Sequence, residues 1–194
     1  MPRPQNLGLV SHSIPAADWL KVIDVVNRLN MAFDHWDVEA ILEVMTEDCT
    51  VEHPHGLVRG RDELRAFLDA YRPLTDGVRR SHLNHVVDAN DDGTLTVTSQ
   101  IILLRVAAAG EGRAIGWRDI AARSDGLPAV FVHSLVTDRL RNDPEFGWRI
   151  CARSVEETTA NTALSPPSHS DTAHARHVAA LPQESDRSSG RRES

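Results

Sequence analysis

The chain has little of what several function classes require. Cys49 and Cys151 are its two cysteines in 194 residues, and they share no C-x-x-C spacing. That excludes a disulfide framework and a thiolate metal knuckle, and both read as small buried hydrophobes in a reducing compartment. Lys and Arg number 21 against 28 Asp and Glu, for a formal net charge of -7. A nucleic-acid surface needs clustered cations to neutralise phosphates, so no nucleic-acid partner is expected. No apolar run approaches the roughly 20 residues of a membrane helix. The opening residues Met1 to Gly8 lack the apolar core of a secretory signal. The expectation is a cytoplasmic protein with no membrane segment. No Gly-rich loop follows a strand to cradle phosphate, and no Ser or Cys has the partners of a nucleophilic triad.

What the chain does have is a change of period near its middle. Trp19, Val22, Ile23, Val26, Leu29 and Phe33 recur at helical spacing after Asp18, which reads as an N-cap. Val38, Ile41, Leu42 and Met45 form a second, shorter stripe capped by Asp37. Leu64, Phe67, Leu68 and Tyr71 form a third over Arg61 to Tyr71, with Asp62 and Glu63 where the helix dipole favours them. Cys49 to His53 reads as a short strand, ended by Pro54 and a turn at Gly56. Beyond Pro73 the spacing becomes strand-like over Ser81 to Asp88, Thr94 to Val106, Ala129 to Arg141 and Trp148 to Val155. The run Asn90-Asp91-Asp92-Gly93 is a hairpin signal between the first two. Ala107 to Pro128 is Gly-rich and poorly patterned, and reads as a long loop.

Segregated helices and strands predict an α+β fold. The expected form is a cone-shaped barrel of a curved mixed, mainly antiparallel sheet wrapped around three N-terminal helices, with a ligand site in its mouth. Residues 1–14 read as a flexible N-terminus and 15–158 as one domain. Residues 159–194, rich in Ser, Pro, His, Arg and Ala, read as a disordered tail.

This layout resembles the SnoaL-like branch of the nuclear-transport-factor-2-like superfamily over about Ala17 to Thr158. The matching stretches are Phe33-Asp34-His35-Trp36-Asp37, Glu47-Asp48-Cys49, Gly60-Arg61-Asp62-Glu63-Leu64, Val136-Thr137-Asp138-Arg139-Leu140, and Gly147-Trp148-Arg149-Ile150 with Arg153. The fold hosts many activities, so the resemblance bears on architecture more than on chemistry. Asp34 and His82 fall where the dehydrochlorinase and bile-acid dehydratase branch carries an Asp–His dyad. The resemblance implies that His82 removes a proton from carbon while Asp34 holds the imidazole. Read as residues alone, Asp34 is a helix-end residue and His82 a strand-edge histidine. Scytalone dehydratase places its acid a turn earlier, where this chain has Asn30 and Met31. A ketosteroid-isomerase oxyanion pair is not visible, because Tyr71 is the sole tyrosine.

Further candidates come from position. Alternation puts Phe131, His133 and Leu135 on one strand face, which makes Phe131 and His133 candidate pocket residues. Arg105, near a strand end, is a candidate oxyanion donor; Arg139 and Arg141 are weaker ones. Phe33, Trp36 and Tyr71 supply an aromatic interior, and His53 and His55 bracket Pro54 beside it. In an unbulged strand His85 faces away from His82. His53, His55 and His82 invite a metal reading, but no carboxylate stands in register, so neither a metal nor another cofactor is expected. The expectation is a cofactor-independent lyase or isomerase that takes a carbon-bound proton from a hydrophobic, cyclic small molecule, working as a homodimer. The competing expectation is a non-catalytic small-molecule-binding or dimerisation module of the same fold.

Overall fold

The computed structural model describes residues 14–108 and 124–165. Most of the proposed tail, the N-terminal segment before Ile14, and Trp117 in the long loop lie outside the described residues.

The first helix, α1 (Ala16–His35), forms on the apolar spacing read from the sequence, and Val22, Val26 and Leu29 are fully buried. Its N-cap is Pro15 rather than Asp18. Asp18 lies in the first turn, where its charge suits the dipole, and its carboxylate accepts from the Trp148 indole at 3.1 Å. The helix ends in a Schellman arrangement. Trp36 takes a left-handed conformation and donates to Phe33 O at 3.1 Å, while Asp37 N donates to Ala32 O at 2.9 Å. Asp37 then caps α2 (Val38–Glu43), accepting from Ala40 N at 3.1 Å. After β1 (Met45–His53) and β2 (Gly56–Arg59), α3 (Gly60–Thr75) opens with Glu63 reaching back to Arg59 N at 2.8 Å.

Four long strands follow: β3 (Val78–Ala89), β4 (Leu95–Arg105), β5 (Ala129–Asp143) and β6 (Gly147–Ala160). The strand order is β2-β1-β6-β5-β4-β3, with β1 and β6 parallel and every other pair antiparallel. The fold is thus α+β with a mixed, mainly antiparallel sheet, as the sequence implied. The sheet stays open, because β2 and β3 are its two edges and do not pair with each other. The helices cover one face, with α1 packed on β3 and α3 on β1. The main core fills the space between them, from Val22, Val26 and Leu29 to Val97, Leu140 and Ile150.

Three irregularities decide where side chains point. In β3, two residues, Asn84 and His85, stand opposite one on β4, between the pairs Leu83–Gln100 and Val86–Thr98. Asn84 takes the extra residue's left-handed conformation, φ 55°. In β5, the register slips between Leu103–Val132 and Leu104–Val130. At the α3–β3 turn, Gly77 has φ +71°, and a Cβ there would lie 2.5 Å from the Ala107 carbonyl oxygen. Its own carbonyl receives Val106 N at 2.8 Å, so the α3–β3 turn is sewn to the end of β4.

Candidate active site

Between the helices and the covered face of the sheet lies a cavity of about 290 Å³. Its walls are mostly apolar, with Leu29, Phe33 and Ile41 from the helical side and Ile101, Leu103 and Val136 from the sheet. This is the usual chemistry of a small-molecule pocket: apolar walls with a few placed polar groups. The polar groups are Asn30 on α1, His53 and His55 at the β1–β2 turn, Tyr71 on α3, Arg80 on β3, Ser134 on β5, Arg153 and Thr158 on β6, and Ser165 beyond it.

The two arginines are each tied to a carboxylate. Arg80 directs Nη1 to Asp34 Oδ1 at 3.2 Å, and its backbone N donates to the same carboxylate at 3.1 and 3.2 Å. The two side chains are only 5 % and 11 % exposed. The Arg80 guanidinium also lies 4.7 Å from the centre of the Phe33 ring, a cation–π distance. Arg153 directs Nη1 to both oxygens of Asp138, at 3.0 and 3.2 Å, and Asp138 is completely buried. Burial pushes the Asp138 carboxyl up, against the pull of Arg153.

His82 sits beside this second pair. Its Nδ1 is 2.9 Å from Ser99 Oγ, and its Nε2 is 3.4 Å from Arg153 Nη2. A guanidinium only donates, so Nε2 carries the lone pair and Nδ1 the proton, which is given to Ser99. Burial, then Arg153, His85 and Arg80, push the imidazole down to about 2. It is therefore neutral throughout the physiological range. Asp34 does not share in this network, and no hydrogen bond joins Asp34 to His82 among the described residues. The aspartate holds Arg80 instead, and through it fixes the end of α1 to the start of β3.

The other sequence candidates divide. Phe33, Tyr71, Phe131 and His53 line the cavity. Tyr71 stacks on Phe67 at 5.4 Å between ring centres, and His53 meets both edge-on at 5.3 and 5.5 Å. His133, Trp36 and Arg105 are not on the lining. The β5 register slip turns both Phe131 and Val132 towards the cavity, after which alternation puts Ser134 and Val136 inward and His133 outward, opposite Ile102. Trp36 is the left-handed residue that ends α1 and packs against the core. Arg105 is 2 % exposed and donates to Leu74 O at 3.1 Å and Asp76 O at 2.9 Å, closing the end of α3. Its guanidinium lies 4.5 Å from the Phe131 ring centre. The β3 bulge places His85 on the same face as His82, with the rings 6.1 Å apart and nearly parallel, where an unbulged strand would have sent it away.

Sequence reasoning missed Arg80, Arg153, Asp138 and Ser99. A signal for two of them was present: Asp138 falls on the inward parity between Val136 and Leu140, and Ser99 between Val97 and Ile101. A charge on the core side of a strand calls for a buried partner. Among the described residues, no three His, Cys, Asp or Glu side chains group as a metal would require, and no helix is long and apolar enough to cross a membrane.

Comparison with known proteins agrees with this architecture. Comparison with curated proteins finds no match. Among solved structures, a cystatin-like-fold protein of unknown function from Nostoc punctiforme is 21% identical over 78% of this chain and 96% of its own, with a TM-score of 0.58. ActVI-ORFA from Streptomyces coelicolor is 21% identical over 71% of this chain and 95% of its own, with a TM-score of 0.57. A Catenulispora acidiphila protein in complex with S-DNPA is 20% identical over 73% and 94%, also at 0.57. Likeness at these identities speaks to the fold. A family model for the SnoaL-like domain matches residues 15–154, nearly the whole helical layer and sheet, and the chain therefore belongs to the SnoaL-like domain family.

Proposed function

We propose that this protein is a cofactor-independent lyase or isomerase that moves a carbon-bound proton on a hydrophobic, cyclic small molecule. The observation that carries the reading is a neutral imidazole, His82, set beside the Arg153 guanidinium at the polar wall of an otherwise apolar cavity. In this reading the substrate's ring fills the apolar space and its carbonyl oxygen meets Arg153 or Arg80. Proton loss from the neighbouring carbon places negative charge on that oxygen, where a held guanidinium stabilises it. The same negative charge offsets two of the cations that keep His82 unprotonated, so the imidazole gains basicity as the enolate forms. The proton passes to Nε2 once Arg153 turns from that nitrogen to the substrate oxygen and uncovers its lone pair, and Ser99 keeps the tautomer. A leaving group on the next carbon then departs, or the proton returns elsewhere. Asp34 acts as a positioning residue through Arg80. That the Catenulispora acidiphila neighbour forms a complex with S-DNPA is in keeping with a ligand-binding cavity.

The test is to find a ligand by thermal-shift screening of steroids, terpenoids and aromatic polyketides, and to follow its turnover in the wild type, His82→Ala and Asp34→Asn. Removal of a general base lowers turnover by about 10²-fold or more; His82→Ala with near-wild-type turnover sinks the proposal. A second reading has its own support. His82 is not on the cavity lining, and Arg153 stands between, which suits a binding module without catalysis. Tight binding with no change of the ligand in prolonged incubation decides for that module.

A further inference from the structure

Two buried polar atoms of cavity-lining residues are left over, one an acceptor and one a donor. Asn30 is 5 % exposed. Its Nδ2 donates to Val26 O at 2.7 Å, which tells the nitrogen end of the amide from the oxygen end, and Oδ1 has no partner among the described residues. Arg80 spends its backbone N–H and Nη1 on Asp34, and its Nη2, equally buried, also has none among the described residues. Both residues line the cavity. Phe33 lies between them: it follows Asn30 by one turn on the same face of α1, and the Arg80 guanidinium packs on its ring at 4.7 Å. Asn30 and Arg80 thus flank one aromatic side chain.

Buried polar groups in folded proteins are nearly always paired. An unpaired one on the wall of an apolar cavity favours a ligand that brings the missing half. An amide oxygen only accepts and a guanidinium only donates. The terminal torsion of an asparagine is soft, so Oδ1 can turn to meet a group in the cavity. We propose that Asn30 and Arg80 select a ring compound bearing a hydroxyl near a carbonyl or carboxylate oxygen, the hydroxyl donating to Asn30 Oδ1 and the oxygen accepting from Arg80 Nη2. The inference rests on the reading of this cavity as the ligand pocket, and it adds the donor–acceptor order that reading leaves open. Asn30 is then a specificity residue, and its neutrality leaves Asp34 as the sole carboxylate on Arg80 among the described residues.

The experiment is calorimetric binding of a matched series: tetralin, 1-tetralone, and 1-tetralones hydroxylated at C2, C3 or C4. Each is measured on the full chain as wild type, Asn30→Leu and Asn30→Ala, with circular dichroism to show that each variant is folded. The expected order for the wild type is a hydroxytetralone over tetralone over tetralin. At least one hydroxylated isomer should bind about 10-fold tighter than tetralone, the size of one well-made hydrogen bond in a dry site. In both Asn30 variants that increment disappears while tetralone affinity stays within about 3-fold. A hydroxyl increment that survives in a folded Asn30 variant overturns the inference. So does wild-type binding of tetralin and tetralone with no gain from any hydroxyl, an outcome that leaves the pocket reading intact. Failure of all the compounds to bind overturns both.

Discussion

An imidazole between guanidiniums has little freedom to take up a proton. His82 is pressed first by burial, then by Arg153, His85 and Arg80, down to about 2, whereas in the unfolded chain a histidine titrates near 6.5. The folded-state value is depressed, so the site's contribution to stability is complete above pH about 6.5 and is lost as the pH falls below it, where only the unfolded chain binds the proton. The loss is about 1.4 kcal/mol per pH unit for one such group. His85, pushed down by burial as well, acts with the same sign. Urea unfolding of the wild type and of His82→Gln between pH 7 and pH 5 checks this. Asp48, held at about 2 by Arg141, does not titrate in that window. The variant should show the shallower decline, by close to one proton's worth; equal slopes would refute the assignment of a neutral, half-buried His82. The same residue scale explains why the Asp34–His82 pairing is not what the fold forms. Asp34 has a guanidinium and a backbone N–H of Arg80 within reach, and a charged donor outcompetes a neutral imidazole for a buried carboxylate.

At the scale of elements, the α3–β3 turn and the β3 bulge set the positions of Arg80, His82 and His85. Gly77 uses a positive φ and leaves no room for a Cβ against Ala107. Gly77→Ala should therefore destabilise by more than about 1 kcal/mol. Asn84 at φ 55° behaves differently. Asn84→Gly should be nearly neutral despite losing the Asn84–Gln100 hydrogen bond, which is exposed, while Asn84→Ile should cost about 1–3 kcal/mol in a conformation that β-branched residues avoid. Chemical unfolding of the three variants gives the ranking, and an Asn84→Ile variant as stable as Asn84→Gly would contradict the bulge. These two features also mark where sequence reading stops. The helical stripes, the Asp37 cap, the Asn90 to Gly93 hairpin and the succession of long strands along the chain follow from local spacing and turn chemistry, and all are legible in the sequence. A bulge shifts alternation by one residue without a pattern of its own, so His85 was assigned to the wrong face and His133 to the pocket side. Arg80 and Asp34 are 46 residues apart in sequence, and nothing local announces their pairing. Arg105 looked like a site residue because it is a charge near a strand end; its role as the clamp on the α3 carbonyls needs the three-dimensional turn at Gly77.

At the scale of the whole molecule, the sheet has one face covered by helices and one that no helix covers among the described residues. The cavity takes Ile101 and Leu103 from β4, so Ile102 and Leu104 point the other way. Pairing places His133 beside Ile102, Val130 beside Leu104, and both Leu83 and Leu135 beside Gln100 on that outer face. Leu83 and Val130 are 43 % and 52 % exposed. Apolar side chains gathered on one face of a sheet form a patch that soluble chains seldom leave bare. The homodimer expected from the sequence would cover it, and a stable pair would bury roughly 1,200–2,000 Å² in total. Size-exclusion chromatography with light scattering should return twice the mass of one chain. Leu83→Glu together with Val130→Glu should return the single-chain mass, because a charge on each copy would have to be buried against the other. Neither residue lines the cavity, so the double variant should keep its affinity for pocket ligands. A monomeric wild type would refute self-association through this face. A dimer that persists in the double variant would place the interface on another surface, away from the uncovered side of β3, β4 and β5.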